Sequence, residues 1–402
     1  MTRESALPGR KRVLYLVSVA QHGLGGHYHS LAAIAGALIG EKAVRGSIVT
    51  IGRKRAPAVT ALEREGIRVT HVPFDGLHLP SACRAVHTEC RTWRPDVIHA
   101  FDEHAFFFAR VAAWRLGIGA VLTKCGGPPP PKYYPSATAL TVFSMEDLDW
   151  FSRRSWPAVF LLPNRVRKFS QHWGLIAELE QKFTSKLRIV RISRIVGHYE
   201  KTIADSIRLV VRLRAAGFDV QLMIIGRIYD KDVLRRLQAM GRECVTWVTD
   251  ERFTGDTKQL IDVADLVVGT GRSLMEAVAR GRTALCPVAG LSIPCLVTPA
   301  NVDTLAKFNF SERGRLATTD EEQFQVLCAR LRRGRTDEEV RFLAAMSERF
   351  CDIESVIPKY LAIYDQQARR PEKLVFDMLL HALKVTFVFL RQRWRERRRR
   401  TA

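Results

Sequence analysis

Between an apolar segment, Ala264–Val268, and a helical one ending near Ala279 stands Gly269-Thr270-Gly271-Arg272-Ser273, with Glu276 three residues further on. A strand that meets a helix through a glycine-rich turn aims several backbone N–H groups at one point. The helix dipole adds about half a positive charge there, so the turn suits a phosphate. A carboxylate close by suits ribose hydroxyls, which lie beside the phosphates of a nucleotide diphosphate. Taken alone, the same residues also read as a plain strand–turn–helix joint with Ser273 and Glu276 as a capping box. Gly281 closes the helix, and a second strand, Ala284–Cys286, stops at Pro287.

Cations stand where such an anion needs them. Arg194 follows the expected strand Leu187–Ile192, and Lys201 comes seven residues later. Both would flank one strand end and neutralise charge developing on a departing nucleotide diphosphate. With 63 basic residues in the chain, two solvated surface cations are the plainer alternative.

The N-terminal part carries a second set. Val13–Val19 leads into Gly23-Leu24-Gly25-Gly26-His27, and His29 opens a helical stretch. Adjacent glycines let the backbone approach a ligand closely. The fingerprint G-x-G-x-x-G is absent because Tyr28 holds the third glycine place, which disfavours nicotinamide chemistry. Further on, Asp96–Ala100 runs into Phe101-Asp102-Glu103-His104. His99, Asp102 and His104 are the candidate catalytic groups, since ligands bind past the carboxyl ends of parallel strands. A surface turn with ordinary charges is the alternative.

Alternating elements must position these residues. Strands are expected at Val13–Val19, Ser47–Ile51, Arg68–Val72, Asp96–Ala100, Ala120–Thr123, Leu140–Phe143 and Val159–Leu162, with helices such as His29–Leu38 and Phe106–Trp114 between them. A second block repeats the pattern: strands Leu187–Ile192, Asp219–Ile225, Cys244–Val248, Leu266–Val268 and Ala284–Cys286, and helices Thr202–Ala215 and Lys231–Met240. Such alternation argues for two parallel sheets, each covered on both faces. The expected division is 1–165 for the N-terminal domain, 166–186 as linker and 187–351 for the C-terminal domain. A single helix, Asp352–Gln367, falls in 352–370, and 371–402 forms a tail.

In that tail, Leu374–Leu390 is apolar except for Asp377, His381 and Lys384, which share one narrow helical stripe with Arg391. Seventeen residues at about 1.5 Å each span roughly 25 Å, too short for a bilayer crossing. An interfacial amphipathic helix is expected, with the following arginines drawn to anionic lipid. A core helix with a solvated basic end is the alternative.

At 402 residues the chain has room for about two domains. Its 47% hydrophobic and 26% charged residues fit a globular protein. The net charge of +22 points to anionic partners. Eight cysteines without a C-x-x-C pair or zinc spacing fit reduced, mostly buried thiols of a cytoplasmic protein. The eight-residue run after Arg10-Lys11-Arg12 is too short for a secretion signal and lacks a cleavage pattern. Nucleic acid is not expected as a partner: the densest basic run lies in the last dozen residues, beside an apolar helix and without an aromatic platform.

In their order, these pieces resemble the family 4 glycosyltransferases. The likeness runs from Arg12 to Gln367. It rests on Gly25-Gly26-His27, Arg94-Pro-Asp-Val-Ile-His99, Leu162-Pro163-Asn164, Arg194 with Glu200-Lys201, Gly226, and the stretch from Ala264-Asp265 through Glu276-Ala277 to Gly281. It implies an α/β protein of the GT-B fold, with two doubly wound, Rossmann-like domains facing across a cleft, here followed by a C-terminal amphipathic basic helix. It also implies retaining transfer from a nucleotide-diphosphate sugar, with no metal and no cofactor.

Arg194, Lys201, Gly226, Gly269, Gly271, Arg272, Ser273 and Glu276 would then hold the donor, with Glu276 on its ribose. Gly25, Gly26 and His27 would line the acceptor side, and the helix Asp352–Gln367 would cross back to the first domain. Two positions depart from the family. Val268 stands where the first Glu of its E-x7-E motif belongs, and Phe101 where a second histidine often stands. The expected partners are a nucleotide sugar, a glycan or lipid-linked acceptor and an anionic membrane surface, with the protein peripheral on the inner face of the cell membrane. An inactive relative that binds a sugar nucleotide or a partner enzyme is the alternative.

Overall fold

The computed structural model describes residues 10–19, 25–130, 133–154, 158–167, 169, 171–241, 243–368, 370 and 377–401, the last seven by backbone alone. Gly23 and Leu24 of the first glycine run, and 374–376 of the tail, lie outside them. The chain divides into two units. Unit 1 is Met1–Asn164 with Ile353–Ala402, and unit 2 is Arg165–Asp352.

Unit 1 is built on a parallel sheet of β1 (Arg12–Val19), β2 (Arg45–Gly52), β3 (Val69–Pro73), β4 (Val97–Ala100), β5 (Gly119–Lys124), β6 (Ala139–Val142) and β7 (Val159–Leu161). Their order is β3-β2-β1-β4-β5-β6-β7, so the chain reverses its direction of winding between β1 and β4. β1 is apolar almost throughout because both of its faces are covered. Val13, Tyr15 and Val17 enter one buried cluster, while Leu14 and Leu16 enter the other. Each such buried side chain contributes about 1.5–3 kcal/mol.

Unit 2 repeats the plan with β8 (Leu187–Ile192), β9 (Val220–Ile225), β10 (Val245–Val248), β11 (Leu266–Val268), β12 (Thr283–Cys286) and β13 (Cys295–Leu296), in the order β10-β9-β8-β11-β12-β13. Among the described strands only β13, two residues long and not foreseen from sequence, runs antiparallel. The helix after β8 starts at Gly197, five residues before the expected Thr202. Lys201 therefore lies inside a helix.

The helix expected over Asp352–Gln367 divides. A 3₁₀ turn at Glu354–Val356 precedes an α-helix, Ile357–Gln367, because Pro358 is suited to a first helical turn and not to an interior. Tyr360, Ile363 and Tyr364 of this return helix join the unit 1 core. All eight cysteines are unpaired, and six of them are buried.

The tail forms the helix Met378–Thr401. Its expected polar stripe is mostly the docked side. Asp377 accepts from the buried Arg110 guanidinium (2.8 Å), His381 Nε2 sits 2.6 Å from the Glu103 carbonyl oxygen, and Lys384 donates to the Glu103 carboxylate (2.7 Å). Val385 and Phe389 are buried beside them. Leu379, Leu380, Leu383, Phe387, Leu390 and Trp394 are exposed. The helix is thus docked on unit 1 and keeps an apolar stripe outward. Among the described residues no helix is long and apolar enough to cross a membrane.

Candidate active site

In unit 2 the turn between β11 and the helix Arg272–Ala279 is only Gly269, Thr270 and Gly271. Gly269 must be glycine, since a Cβ would stand 2.6 Å from the Leu274 nitrogen. Gly271 takes φ +52°, a left-handed conformation open to glycine. The turn's own N–H groups are used within the protein. Gly269 donates to Leu285 O (3.0 Å), Thr270 to Ser273 Oγ (3.1 Å) and Gly271 to Phe310 O (2.7 Å).

This corrects the expectation that the turn itself cradles phosphate. The groups left for an anion are the first-turn amides of Arg272, Ser273 and Leu274, which have no intrahelical acceptor. The capping box is absent as well, because Ser273 bonds back to Thr270 and Gly271 is the cap residue. Asn309 and Phe310, whose carbonyl braces Gly271, both have φ of +53°. Two consecutive non-glycine residues in that region cost about 1–2 kcal/mol each.

Glu276 is buried on the helix, and Arg272 Nε donates to its Oε1 at 2.8 Å. Burial pushes its carboxyl up, against the pull of Arg272 and Lys258. Arg272 also donates to the Arg165 carbonyl (3.2 Å), so the pair is anchored to its own unit. Val268 is wholly buried in β11 and faces the hydrophobic core. A carboxylate at that position would point into the core.

Arg194 leaves β8 beside Tyr199, donating to its hydroxyl at 3.1 Å. Gly226 acts sterically: a Cβ there would overlap the Ser193 carbonyl oxygen, so its absence lets the exits of β8 and β9 close together. Lys201 is engaged elsewhere, with its ammonium on Asp205 Oδ2 (2.8 Å) and the Leu291 carbonyl (3.0 Å). Arg191, Tyr199 and Asn309 were not singled out from sequence. For Arg191 a signal existed, since it follows the apolar pair Ile189-Val190 inside a strand.

In unit 1, Gly25 precedes the helix Gly26–Gly40 as its cap residue, and a Cβ on it would press on the His27 ring. A Cβ at Gly26 would meet nothing within 4 Å, so the backbone there borders open space. Asp102 caps the helix Glu103–Leu116, accepting from the His104 and Ala105 amides (3.0 and 2.9 Å). It also ties β1 to β4 by accepting from the Ser18 amide (2.7 Å) and hydroxyl (2.6 Å). Burial opposes its charge, but His104, His27 and Ser18 hold the carboxyl down to about 2. His104 Nδ1 lies 3.6 Å from Asp102 Oδ1.

His99 has a different place from the one expected. It is fully buried, with Nδ1 2.8 Å from the Tyr364 hydroxyl and Nε2 2.6 Å from Thr123 Oγ1. Burial pushes its imidazole down to about 3, so it is neutral at physiological pH. With both nitrogens engaged inside the core, it has no atom for a substrate. Its role is structural.

Among the described residues no group of three or more His, Cys, Asp or Glu side chains is placed to hold a metal ion.

Residues 19–162 match the glycosyl transferase 4-like domain family. No curated protein matches the sequence. Among solved structures, the chain is similar to Anabaena HepE in complex with UDP and glucose (TM-score 0.64, 16% identity, 89% of this chain and 100% of that one). A glycosyltransferase from Rickettsia africae gives TM-score 0.64 at 12% identity, over 90% and 99% of the two chains. A putative UDP-N-acetylglucosamine 2-epimerase from Listeria monocytogenes gives TM-score 0.57 at 16% identity, over 91% and 100%. At these identities the likeness concerns the fold, that of the GT-B glycosyltransferases.

Proposed function

Given that residues 19–162 form a glycosyl transferase 4-like domain and that the chain has the GT-B glycosyltransferase fold, we propose that this protein is a retaining glycosyltransferase. It moves a sugar from a nucleotide-diphosphate donor to a glycan or lipid-linked acceptor at the cytoplasmic membrane surface, without a metal or cofactor. The observation that carries the reading is Glu276, a buried carboxylate whose Oε1 alone is taken by Arg272, on the helix whose first-turn amides have no intrahelical acceptor. Glu276 Oε2 accepts from the donor ribose, and the amides of Arg272–Leu274 hold the diphosphate together with Arg194. Lys201 joins them on leaving Asp205.

On the acceptor side, Gly25, Gly26 and His27 border the strand end where Asp102 stands. An Asp held near 2 is a weak base at neutral pH, so Asp102 orients His104, and His104 meets the acceptor. The outward apolar stripe of the last helix and its basic end support docking on anionic lipid.

HepE binds UDP and UDP-glucose in its crystals, which puts uridine nucleotides first in the test. Thermal stability is measured with UDP-, GDP- and ADP-sugars. One of them should stabilise the wild type, and Glu276→Ala should lose that effect with the fold intact. No shift with any donor would count against the reading. The product's anomeric configuration by NMR tests retention. Binding without transfer or hydrolysis would identify an inactive relative, a reading favoured by the burial of Val268.

A further inference from the structure

Arg191 is the penultimate residue of β8 and is fully buried. In the sheet it stands directly opposite Val268, the last residue before the Gly269–Gly271 turn. Two residues later the chain emerges as Ser193-Arg194. The guanidinium reaches the helix Gly197–Ala215, where Nη2 donates to Thr202 Oγ1 at 3.0 Å. That 19-residue helix starts at a Val196 cap that gives no side-chain hydrogen bond.

Nε and Nη1 of Arg191 have no hydrogen-bond partner among the described residues. Tyr199, Asp205, Cys286 and Glu312 surround the charge, yet none is within ion-pair or hydrogen-bond reach. A buried cation without a counter-ion is strongly unfavourable, and such groups persist where a ligand supplies the missing charge.

We infer that Arg191 is the inner anchor of an oxyanion site at the carboxyl end of β8, completed by an anionic group of the donor. That group is either the terminal phosphate of the nucleotide diphosphate or a carboxylate on the sugar. The inference rests on the donor reading of the same strand ends and adds a ligand group to it. The first two amides of the helix, at Gly197 and His198, have no intrahelical acceptor and complement it.

The test uses the full chain as wild type, Arg191→Met and Arg191→Lys, titrated with pyrophosphate, UDP, UDP-glucose and UDP-glucuronate. If the anion is phosphate, Arg191→Met weakens pyrophosphate and UDP at least tenfold. If it is a sugar carboxylate, those two are unchanged and a wild-type preference for UDP-glucuronate over UDP-glucose disappears. Arg191→Lys retains part of either effect. The ligand-free Met variant should melt at or above the wild type, since it removes an unpaired buried charge; a purely structural arginine would give the reverse.

Affinities within twofold of wild type for all four probes, or no binding of any of them to the wild type, overturn the inference. If Glu276→Ala loses UDP but Arg191→Met does not, the donor reading stands and this inference falls. If pyrophosphate binds through Arg191 while UDP binds no better and Glu276→Ala has no effect, the oxyanion site stands and the nucleotide reading falls.

Discussion

His99 Nδ1 and the Tyr364 hydroxyl lie 2.8 Å apart, although 265 positions separate them in the chain. The bond fastens the return helix Ile357–Gln367 to the centre of the unit 1 sheet, where Thr123 holds the other ring nitrogen. Removing one partner leaves a buried nitrogen unsatisfied, which costs about 1–3 kcal/mol. Tyr364→Phe should therefore lower the unfolding free energy measured in urea by that amount and leave nucleotide affinity unchanged. A loss of affinity without a loss of stability would restore a catalytic part for His99.

Acid should weaken unit 1 before its carboxylates titrate. Burial pushes both His99 and His381 down to about 3, from an ordinary 6.5. A histidine with a depressed folded pKa contributes stability that is present above its unfolded pKa and is lost as pH falls below it. Two such groups mean that unfolding takes up about two protons between roughly pH 6 and 3, so stability falls by about 3 kcal/mol per pH unit there. Urea titrations at pH 7, 6 and 5 measure the slope. A flat profile would show that neither ring is held neutral.

Asp102 acts in the same direction, at lower pH. Its carboxyl sits at about 2 against an ordinary 3.8, so it stabilises the fold above pH 4 and loses that contribution as pH falls through 2. The shift corresponds to about 2 kcal/mol. Asp102→Asn keeps an acceptor for the helix amides and should lose about that much at pH 7. The difference from wild type should vanish at pH 2.

Gly226 tests how β8 presents Arg194. A methyl group at this position overlaps the Ser193 carbonyl and must displace the exit of the strand. Gly226→Ala should cost about 1–3 kcal/mol, as overpacking does, and should weaken nucleotide binding more than Lys201→Ala, whose ammonium is already engaged by Asp205.

The last helix carries the membrane reading. Leu383 and Phe387 are exposed one turn apart, on the side away from Val385 and Phe389. Inserting two such side chains into lipid contributes about 3–6 kcal/mol, or at least a hundredfold in partitioning. Leu383→Ser with Phe387→Ser should abolish flotation with anionic vesicles and leave the melting temperature unchanged. Retained flotation would remove the membrane partner from the proposal.

The sequence by itself determined the two doubly wound units. Most of their strands are buried on both faces and so read as largely apolar segments, with glycine-rich or charged turns at the carboxyl end. β1, β4, β8 and β11 lie within a residue or two of where that pattern placed them. It also brought out Glu276 and Arg194, because a carboxylate and a cation beside strand ends stand out against apolar neighbours.

Only the tertiary structure decided what these groups are free to do. His99 looked catalytic because a histidine at a strand end borders a ligand site, but the hydroxyls of Tyr364 and Thr123 come from distant segments and enclose it. Asp377, His381 and Lys384 read as the polar stripe of an interfacial helix until Arg110 and Glu103 met them. The turn at Gly269–Gly271 read as a phosphate cradle, yet Leu285 and Phe310 take two of its amides. Arg191 passed as one more charge among many, and its lack of a partner is visible only with its surroundings in place. Local pattern fixes which residues share an element. Which of their polar atoms remain unsatisfied depends on partners far away in the chain.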